Sequence, residues 1–143
     1  MLSQPIRSVM EREKVLLAPP ETTVSQAAKL MCRRQVGAVM VVEDGRLVGI
    51  FTERDAVYRV IAKRLDPHVV TLAEVMTRAP ETVSPEDPFG RALAMMHERG
   101  FRHAPVVEDG RPVGVVSARN ALDPDLEEFA VEAERRRHIR RRA

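Results

Sequence analysis

One stretch of residues occurs twice in the sequence, and this repeat is the strongest constraint on its fold. The first copy is Gly49-Ile50-Phe51-Thr52-Glu53-Arg54-Asp55, and the second is Gly114-Val115-Val116-Ser117-Ala118-Arg119-Asn120. In both copies an apolar run ends at a hydroxyl residue, which predicts a buried strand followed at once by a helix. Backbone N–H groups and the helix dipole favour anions at such a helix start. We therefore expect two similar halves, each with a helix start suited to a small anionic ligand.

The remaining elements recur in the same order in each half. In the first half, a capping box at Thr23 to Gln26 predicts a helix from Val24 to Arg34. A strand over 38–42, an Asp-Gly hairpin turn at 43–46, a strand over 47–51 and a helix over 52–64 follow. We expect Val57, Val60 and Ile61 to face the core. The second half predicts a strand over 81–83, a helix over 88–99, and two strands over 104–107 and 113–116 around the same turn.

This order predicts an α+β fold made of two β-α-β-β-α repeats packed sheet to sheet with pseudo-two-fold symmetry. A sheet as small as either half's cannot stand alone, so each is expected to bury its open side against the other. The expected boundaries are domain 1 over 3–64, a linker over 65–70, domain 2 over 71–123, and a C-terminal helix with a basic tail over 124–143.

Composition narrows the classes of function. The chain has four Phe, one Tyr and no Trp, too few aromatic residues for a base-stacking platform. No apolar run approaches the roughly 18 residues of a membrane span, and no signal peptide is visible. The single Cys32 excludes an internal disulfide and suits a reducing compartment. We therefore expect a cytoplasmic protein without membrane contact, in which Cys32 is a buried, inert thiol.

Charge is distributed unevenly along the chain. The formal net charge is +2, but the last twelve residues hold six Arg and two Glu. The body is therefore slightly acidic, whereas the tail is basic. A run of like charge is most often a solvated chain end, although six Arg could also neutralise phosphates of a nucleic acid.

The combined motif resembles the cystathionine β-synthase (CBS) domain, and two copies in tandem resemble the stand-alone bacterial form of a Bateman module. The resemblance covers about residues 3 to 122 and lies in Val-Met, a proline, an apolar helix, paired strands around Asp-Gly-Arg-x-Val-Gly, and Thr/Ser-x-x-Asp. It implies a regulatory module without catalysis. Such a module binds AMP, ADP, ATP or S-adenosylmethionine between its halves, needs no other cofactor, and acts through a homodimer on an effector protein.

The resemblance also implies two ligand clefts. In cleft 1 the acid bonds ribose hydroxyls, and the hydroxyl residue and nearby cations hold phosphate. The residues carried over to cleft 1 are Thr52, Arg54, Asp55, Glu81, Thr82, Phe101, Arg102 and His103. Those carried over to cleft 2 are Leu16, Leu17, Val36, Gly37, Ala38, Ser117 and Asn120. Because Asn120 replaces the expected Asp, and Gly37 and Ala38 replace Arg102 and His103, we expect cleft 2 to be weaker or empty.

Three alternative interpretations remain at this point. Thr52 and Asp55 also fit a plain helix cap that needs no ligand, a role worth about 1 kcal/mol. The apolar helix faces are also those of a structural dimerisation module without a ligand. The Arg-rich tail could bind nucleic acid.

The four His and the single Cys show no metal-ligand spacing, and no nucleophile lies beside a base, so neither a metal site nor catalysis is predicted.

Overall fold

A computed structural model describes residues 2–121, 135–137 and 139. It has the predicted α+β architecture of two similar repeats. Each repeat contributes one long amphipathic helix and one β-hairpin, and shorter elements join them. The strands are β1 Leu17–Ala18, β2 Ala38–Glu43, β3 Arg46–Thr52, β4 Thr77–Arg78, β5 His103–Glu108 and β6 Arg111–Ser117. The helices are α1 Val24–Arg34, α2 Glu53–Asp55, which continues as a π-helical segment Ala56–Ile61, α3 Leu72–Val75 and α4 Phe89–Arg99; 3-10 turns lie at Ile6–Ser8 and Ala118–Ala121.

The two sheets are built on equivalent hairpins. The first has the order β1-β2-β3-β4, and the second pairs β5 with β6. Both hairpins turn through Asp-Gly pairs with positive φ, at Asp44 and Gly45 (51° and 76°) and at Asp109 and Gly110 (54° and 79°). Two positive φ angles are those of a type I′ turn, whose twist matches the strands. The predicted hairpins are therefore confirmed.

The predicted strand over 81–83 does not form, and Pro105 explains why. In the first sheet the Met40 N–H donates to the Leu16 carbonyl (2.8 Å) and extends the parallel pairing. Pro105 occupies the equivalent place in β5 and has no N–H to donate to Glu81. Val83 is left with a single parallel bridge to Val106. The prediction also missed β4, which belongs to the second repeat in sequence but pairs with β3 of the first.

The first short helix of each repeat packs into the hydrophobic core of the other repeat. Ile6, near the N-terminus, is fully buried in the second core, whereas Leu72 of α3 is fully buried in the first. Two isolated bridges, Thr23 with Thr71 and Pro5 with Pro88, fix these crossings in equivalent places. The first core also contains Val24, Ala27, Met31, Val39, Val41, Phe51, Val60, Val75 and Met76, and the second Val83, Phe89, Ala92, Met96, Ala104, Val106 and Val116. The halves are therefore interlocked rather than merely stacked.

Several side chains predicted to be buried are exposed. On the helix that follows β3, Val60 is buried, but Val57 is 50% exposed and Ile61 69%. Only one side of this helix meets the core, so its other apolar residues face outward. Cys32 is also exposed, because it follows the buried Met31 by about 100° around α1.

The C-terminal predictions lie mostly outside the described residues. The C-terminal helix predicted at the start of the segment 124–143 lies outside the described residues, and Arg135 to Arg137 in the predicted basic tail form an exposed helical turn. None of the helices in the described ranges combines the length and the hydrophobicity that crossing a bilayer requires.

Candidate functional site

A reciprocal capping box sets the helix start that follows β3. The Asp55 N–H donates to Thr52 Oγ1 (3.3 Å), and the Thr52 N–H donates to Asp55 Oδ2 (2.9 Å). The Thr52 hydroxyl also donates to Oδ2 (3.1 Å). The other carboxylate oxygen, Oδ1, lies 3.5 Å from Arg59 Nε. A carboxylate oxygen accepts more than one hydrogen bond, so Oδ1 keeps capacity for a ligand hydroxyl.

This helix start faces a cavity of about 860 Å³ between the repeats, which we call the Asp55 cleft. One wall comes from the first repeat and the other from the residues around β4 and the start of β5. The first repeat supplies Thr52, Glu53, Arg54, Asp55, Val57 and Tyr58, and the second Thr77, Ala79, Pro80, Glu81, Arg99, Gly100, Phe101, Arg102 and His103. The cleft therefore combines a carboxylate, several cations and apolar surface.

Two of the cations in the Asp55 cleft are engaged by neighbouring groups. Arg99 Nη2 lies 3.1 Å from Glu81 Oε1. The Arg54 guanidinium lies 5.1 Å from the centroid of the Tyr58 ring, and its Nη1 donates to the Gly100 carbonyl (3.4 Å). The Arg102 side chain is exposed and forms neither a hydrogen bond nor an ion pair with the described residues. It is therefore the most available cation for a ligand phosphate in this cleft.

A second cavity of about 860 Å³ lies at the equivalent place in the other repeat, and we call it the Ser117 cleft. Here Asn120 caps the helix start as Asp55 does, since its Oδ1 accepts from the Ser117 N–H (2.8 Å) and hydroxyl (3.1 Å). Its Nδ2 donates to Glu11 Oε1 (3.2 Å). The lining includes Glu11, Lys14, Met31, Cys32, Val36, Gly37, Ala38, Glu53, Arg102, His103, Val115, Ser117, Ala118 and Arg119.

The two clefts share one wall. Glu53, Arg102 and His103 line both cavities. The wall is tightly packed, because a Cβ on Gly37 would lie 3.2 Å from Glu53 Oε1 and 3.3 Å from His103 Cε1. Burial holds the pKa of His103 below its ordinary value; Glu53 and Glu11 oppose this shift and Arg102 reinforces it. A neutral imidazole can accept a hydrogen bond as well as donate one.

Most of the predicted site residues meet at these cavities. Of the cleft 1 set, all but Thr82 line the Asp55 cleft, whereas Thr82 is exposed outside the lining. Of the cleft 2 set, Val36, Gly37, Ala38 and Ser117 line the Ser117 cleft. Leu16 is buried in the first core and Leu17 lies on β1, so neither side chain reaches the lining. Asn120 is not in the lining itself, but its side chain forms hydrogen bonds with two lining residues, Ser117 and Glu11.

Sequence reasoning missed five polar residues of the Ser117 cleft: Glu11, Lys14, Gln35, Glu53 and Arg119. Arg119 had a visible signal, because it repeats Arg54 in the second copy of the motif. Glu11 and Lys14 had none, since they lie in the N-terminal segment, whose pairing with the second sheet through the bridge between Glu11 and Val115 is not visible in the sequence. Within the described residues, no group of three or more His, Cys, Asp or Glu could hold a metal ion.

Comparisons with known proteins agree with this architecture. The family description "CBS domain" matches residues 6–62 and 72–125. The Arabidopsis thaliana CBS domain-containing protein CBSCBSPB1 is 39% identical over 104 residues, which are 72% of this chain and 19% of that protein. The chain thus spans about a fifth of the length of the first curated relatives it matches.

Solved structures share the fold. An uncharacterized conserved protein of Pyrococcus horikoshii superposes with a TM-score of 0.79 at 32% identity, over 85% of this chain and 92% of that one. The CBS domain pair of protein MJ0100, solved with 5′-methylthioadenosine and S-adenosyl-L-methionine, has a TM-score of 0.75 over 82% of this chain and 96% of that one; at 24% identity it supports the fold alone. Because both repeats match the family over most of the chain, the protein belongs to the CBS-domain family as a tandem pair of CBS domains.

Proposed function

We propose that this CBS pair senses an adenosine-containing ligand, namely AMP, ADP, ATP or S-adenosylmethionine, in the Asp55 cleft. The observation that carries the proposal is the position of Asp55, whose carboxylate is fixed at a helix start on the wall of a cavity of about 860 Å³. Its Oδ1 is positioned to accept from vicinal ribose hydroxyls. The MJ0100 pair, which shares the fold, was solved with two adenosine compounds, and this supports the choice of ligand class.

The remaining groups of the Asp55 cleft suit the other parts of such a ligand. Arg102 and Arg54 supply positive charge near the helix start, where a phosphate is favoured. Phe101 and Val57 supply apolar surface for a base. The role of Asp55 goes beyond helix capping in this proposal, although capping and ligand binding use different oxygens of the same carboxylate and are compatible.

Calorimetric titration with the four ligands tests this proposal. We expect Asp55→Asn to keep the helix cap but to weaken binding by about tenfold or more, because it removes a charge-assisted hydrogen bond. Asp87→Asn is a matched control: Asp87 also accepts from the backbone N–H three residues before it (2.8 Å) and lies 3.5 Å from an Arg four residues ahead. Asp87 lines neither cleft. Absence of binding by the wild type at millimolar ligand would refute the proposal.

The relay of ligand occupancy is proposed to run through a homodimer. Four apolar side chains on or just after the helix that starts at Glu53 are exposed: Val57 (50%), Tyr58 (57%), Ile61 (69%) and Leu65 (40%). We call these four residues the helix patch. Val57 and Tyr58 also line the Asp55 cleft, so a bound ligand would contact the helix that carries the patch. A second copy of the chain would cover the patch, and an effector protein in the cytoplasm would read the state of the dimer.

The helix patch also favours a second candidate function, a dimerisation module without a ligand. Exposed apolar groups of this kind mark interaction surfaces irrespective of any cleft. A dimer that forms equally with and without every adenosine ligand, and that binds none of them, would support this alternative.

A further inference from the structure

The strand register shows which residue of the Asp55 cleft corresponds to Glu11 in the Ser117 cleft. In the first sheet Ile50 of β3 pairs with Thr77 of β4, and Thr77 lines the Asp55 cleft. Val115 is the equivalent of Ile50 in β6, and besides Pro105 of β5 it has a second antiparallel partner, Glu11. Backbone hydrogen bonds of 2.9 and 3.0 Å in both directions hold this pair. Glu11 therefore stands in the Ser117 cleft where Thr77 stands in the Asp55 cleft.

Position 120 thus lacks a carboxylate, but the neighbouring segment supplies one, that of Glu11. The Asp55 cleft has an acid at the helix start and a threonine on the adjacent strand. The Ser117 cleft has an amide at the helix start and an acid on the adjacent segment, and the two side chains are joined by the bond from Asn120 Nδ2 to Glu11 Oε1 (3.2 Å). Glu11 Oε2 makes no hydrogen bond with any residue in the described ranges, so it is available to a ligand.

The cations of the Ser117 cleft are also available. Lys14 and Arg119 line it, and neither side chain forms a hydrogen bond or an ion pair within the described part of the chain. In the Asp55 cleft, by contrast, Arg99 is paired with Glu81. A carboxylate oxygen and two cationic side chains without ion-pair partners in one cavity suit a ligand that carries both hydroxyls and phosphate.

We propose that Glu11, oriented by Asn120, accepts the ribose hydroxyls of the ligand in the Ser117 cleft, where the helix start lacks a carboxylate. The inference rests on the proposed function of the Asp55 cleft and extends it to the residue that takes the role of Asp55 in the other cleft. The replacement of Asp by Asn at position 120 moves the accepting carboxylate without removing it.

Titration with AMP on an Asp55→Asn background isolates the Ser117 cleft. We expect this variant to retain one AMP site per chain, and the added substitution Glu11→Gln to weaken that site by about tenfold or more through loss of a charged acceptor. Glutamine keeps an oxygen that accepts from Asn120, so the local fold is preserved. Glu13→Gln, at an exposed position two residues away, is the matched control. The 2′,3′-dideoxy form of AMP should bind the Asp55→Asn variant as weakly as AMP binds the double variant.

The outcomes separate the two proposals, with circular dichroism confirming that each variant is folded. Wild-type binding of one AMP per chain, abolished by Asp55→Asn and unchanged by Glu11→Gln, would overturn the role of Glu11 and leave the proposed function standing. A residual site that is equally sensitive to Glu11→Gln and Glu13→Gln, or that binds the dideoxy form as well as AMP, would also overturn it. A wild-type chain that binds no adenosine ligand would overturn both proposals.

Discussion

The backbone of Gly49 in β3 lies directly against the side chain of Met76, which follows α3. A Cβ built on Gly49 would overlap Met76 Sδ and lie 2.9 Å from its Cγ. The second repeat has the corresponding contact, because a Cβ on Gly114 would lie 2.8 Å from Met10 Sδ. Each glycine is thus the point at which a short helix segment from one repeat is seated on the sheet of the other.

Gly49→Ala should destabilise the protein by about 1 to 3 kcal/mol, because overpacking forces a buried side chain to move. Met76 is 7% exposed and has little room to shift. The measurement is urea unfolding followed by circular dichroism.

Gly114→Ala is the matched comparison for this substitution. Met10 is only partly buried and can move toward solvent. Gly114→Ala should therefore lower the free energy of unfolding by less than Gly49→Ala does. Equal free energies for Gly49→Ala and wild type would contradict the seating of Met76 on β3.

The local elements could be predicted from sequence because their signals are local. The Thr23 capping box and the bounds of α1 are observed as predicted, and the two Asp-Gly turns have the expected positive φ. The exchange of short helices could not be predicted. An apolar triplet such as Leu72, Val75 and Met76 indicates a buried face, but it carries no information about which of two similar sheets covers it.

The site was predictable to the same extent. Asp55 follows from the repeated motif and Arg102 from the family resemblance, and both line one cavity. The bond between Asn120 and Glu11 joins residues 109 positions apart, and no pattern in the sequence links them. The failure of residues 81–83 to form the predicted strand depends on Pro105, whose missing N–H matters only once the parallel neighbour of β5 is known.

Asp55→Ala and Asp55→Asn should separate stability from ligand binding. Alanine removes the two bonds that Asp55 Oδ2 accepts from the Thr52 N–H and hydroxyl, and it should lower the free energy of unfolding by about 1 kcal/mol. Asparagine keeps an acceptor for the Thr52 N–H and should cost less, as Asn120 does at the equivalent place. Thermal unfolding without ligand checks this order. Equal losses in the two variants would indicate that the capping bonds contribute little.

Asn120→Asp should destabilise the protein although it restores the residue expected from the repeat. The new carboxylate would replace the amide nitrogen that now lies 3.2 Å from Glu11 Oε1. Two like charges about 4 Å apart repel by roughly 1 to 4 kcal/mol, depending on the local dielectric. Protonation of either carboxylate would remove the repulsion, so the penalty is present at neutral pH and declines as pH falls.

Unfolding of Asn120→Asp at pH 7 and pH 4.5, relative to wild type at each pH, measures this effect. The double variant Glu11→Gln with Asn120→Asp removes one charge and should recover stability at pH 7. A penalty that persisted unchanged in the double variant would assign the loss to something other than the carboxylate pair.

Ile61→Glu should shift the chain toward monomers. Ile61 is the most exposed member of the helix patch at 69%, and a buried unpaired charge at an interface is costly. Sedimentation velocity should show the wild type as a dimer and the variant near the monomer mass of 16.1 kDa. Val69→Glu, at a similarly exposed apolar residue in the loop before α3, should remain dimeric. A wild type that sediments as a monomer would exclude the proposed relay.

Stability should fall as pH decreases from 7.5 to 5.5, and His103 should account for part of that loss. Burial lowers its pKa in the folded protein below the ordinary value of 6.5, so the unfolded chain binds the proton more readily. Its contribution is therefore fully present above about pH 6.5 and is lost as pH falls toward the folded pKa. His103→Gln removes the titrating group and should flatten this part of the curve, whereas His97→Gln, at an exposed position on α4, should retain the wild-type slope. Urea unfolding at intervals across this range gives the slope directly, and an unchanged slope in His103→Gln would show that other groups cause the loss.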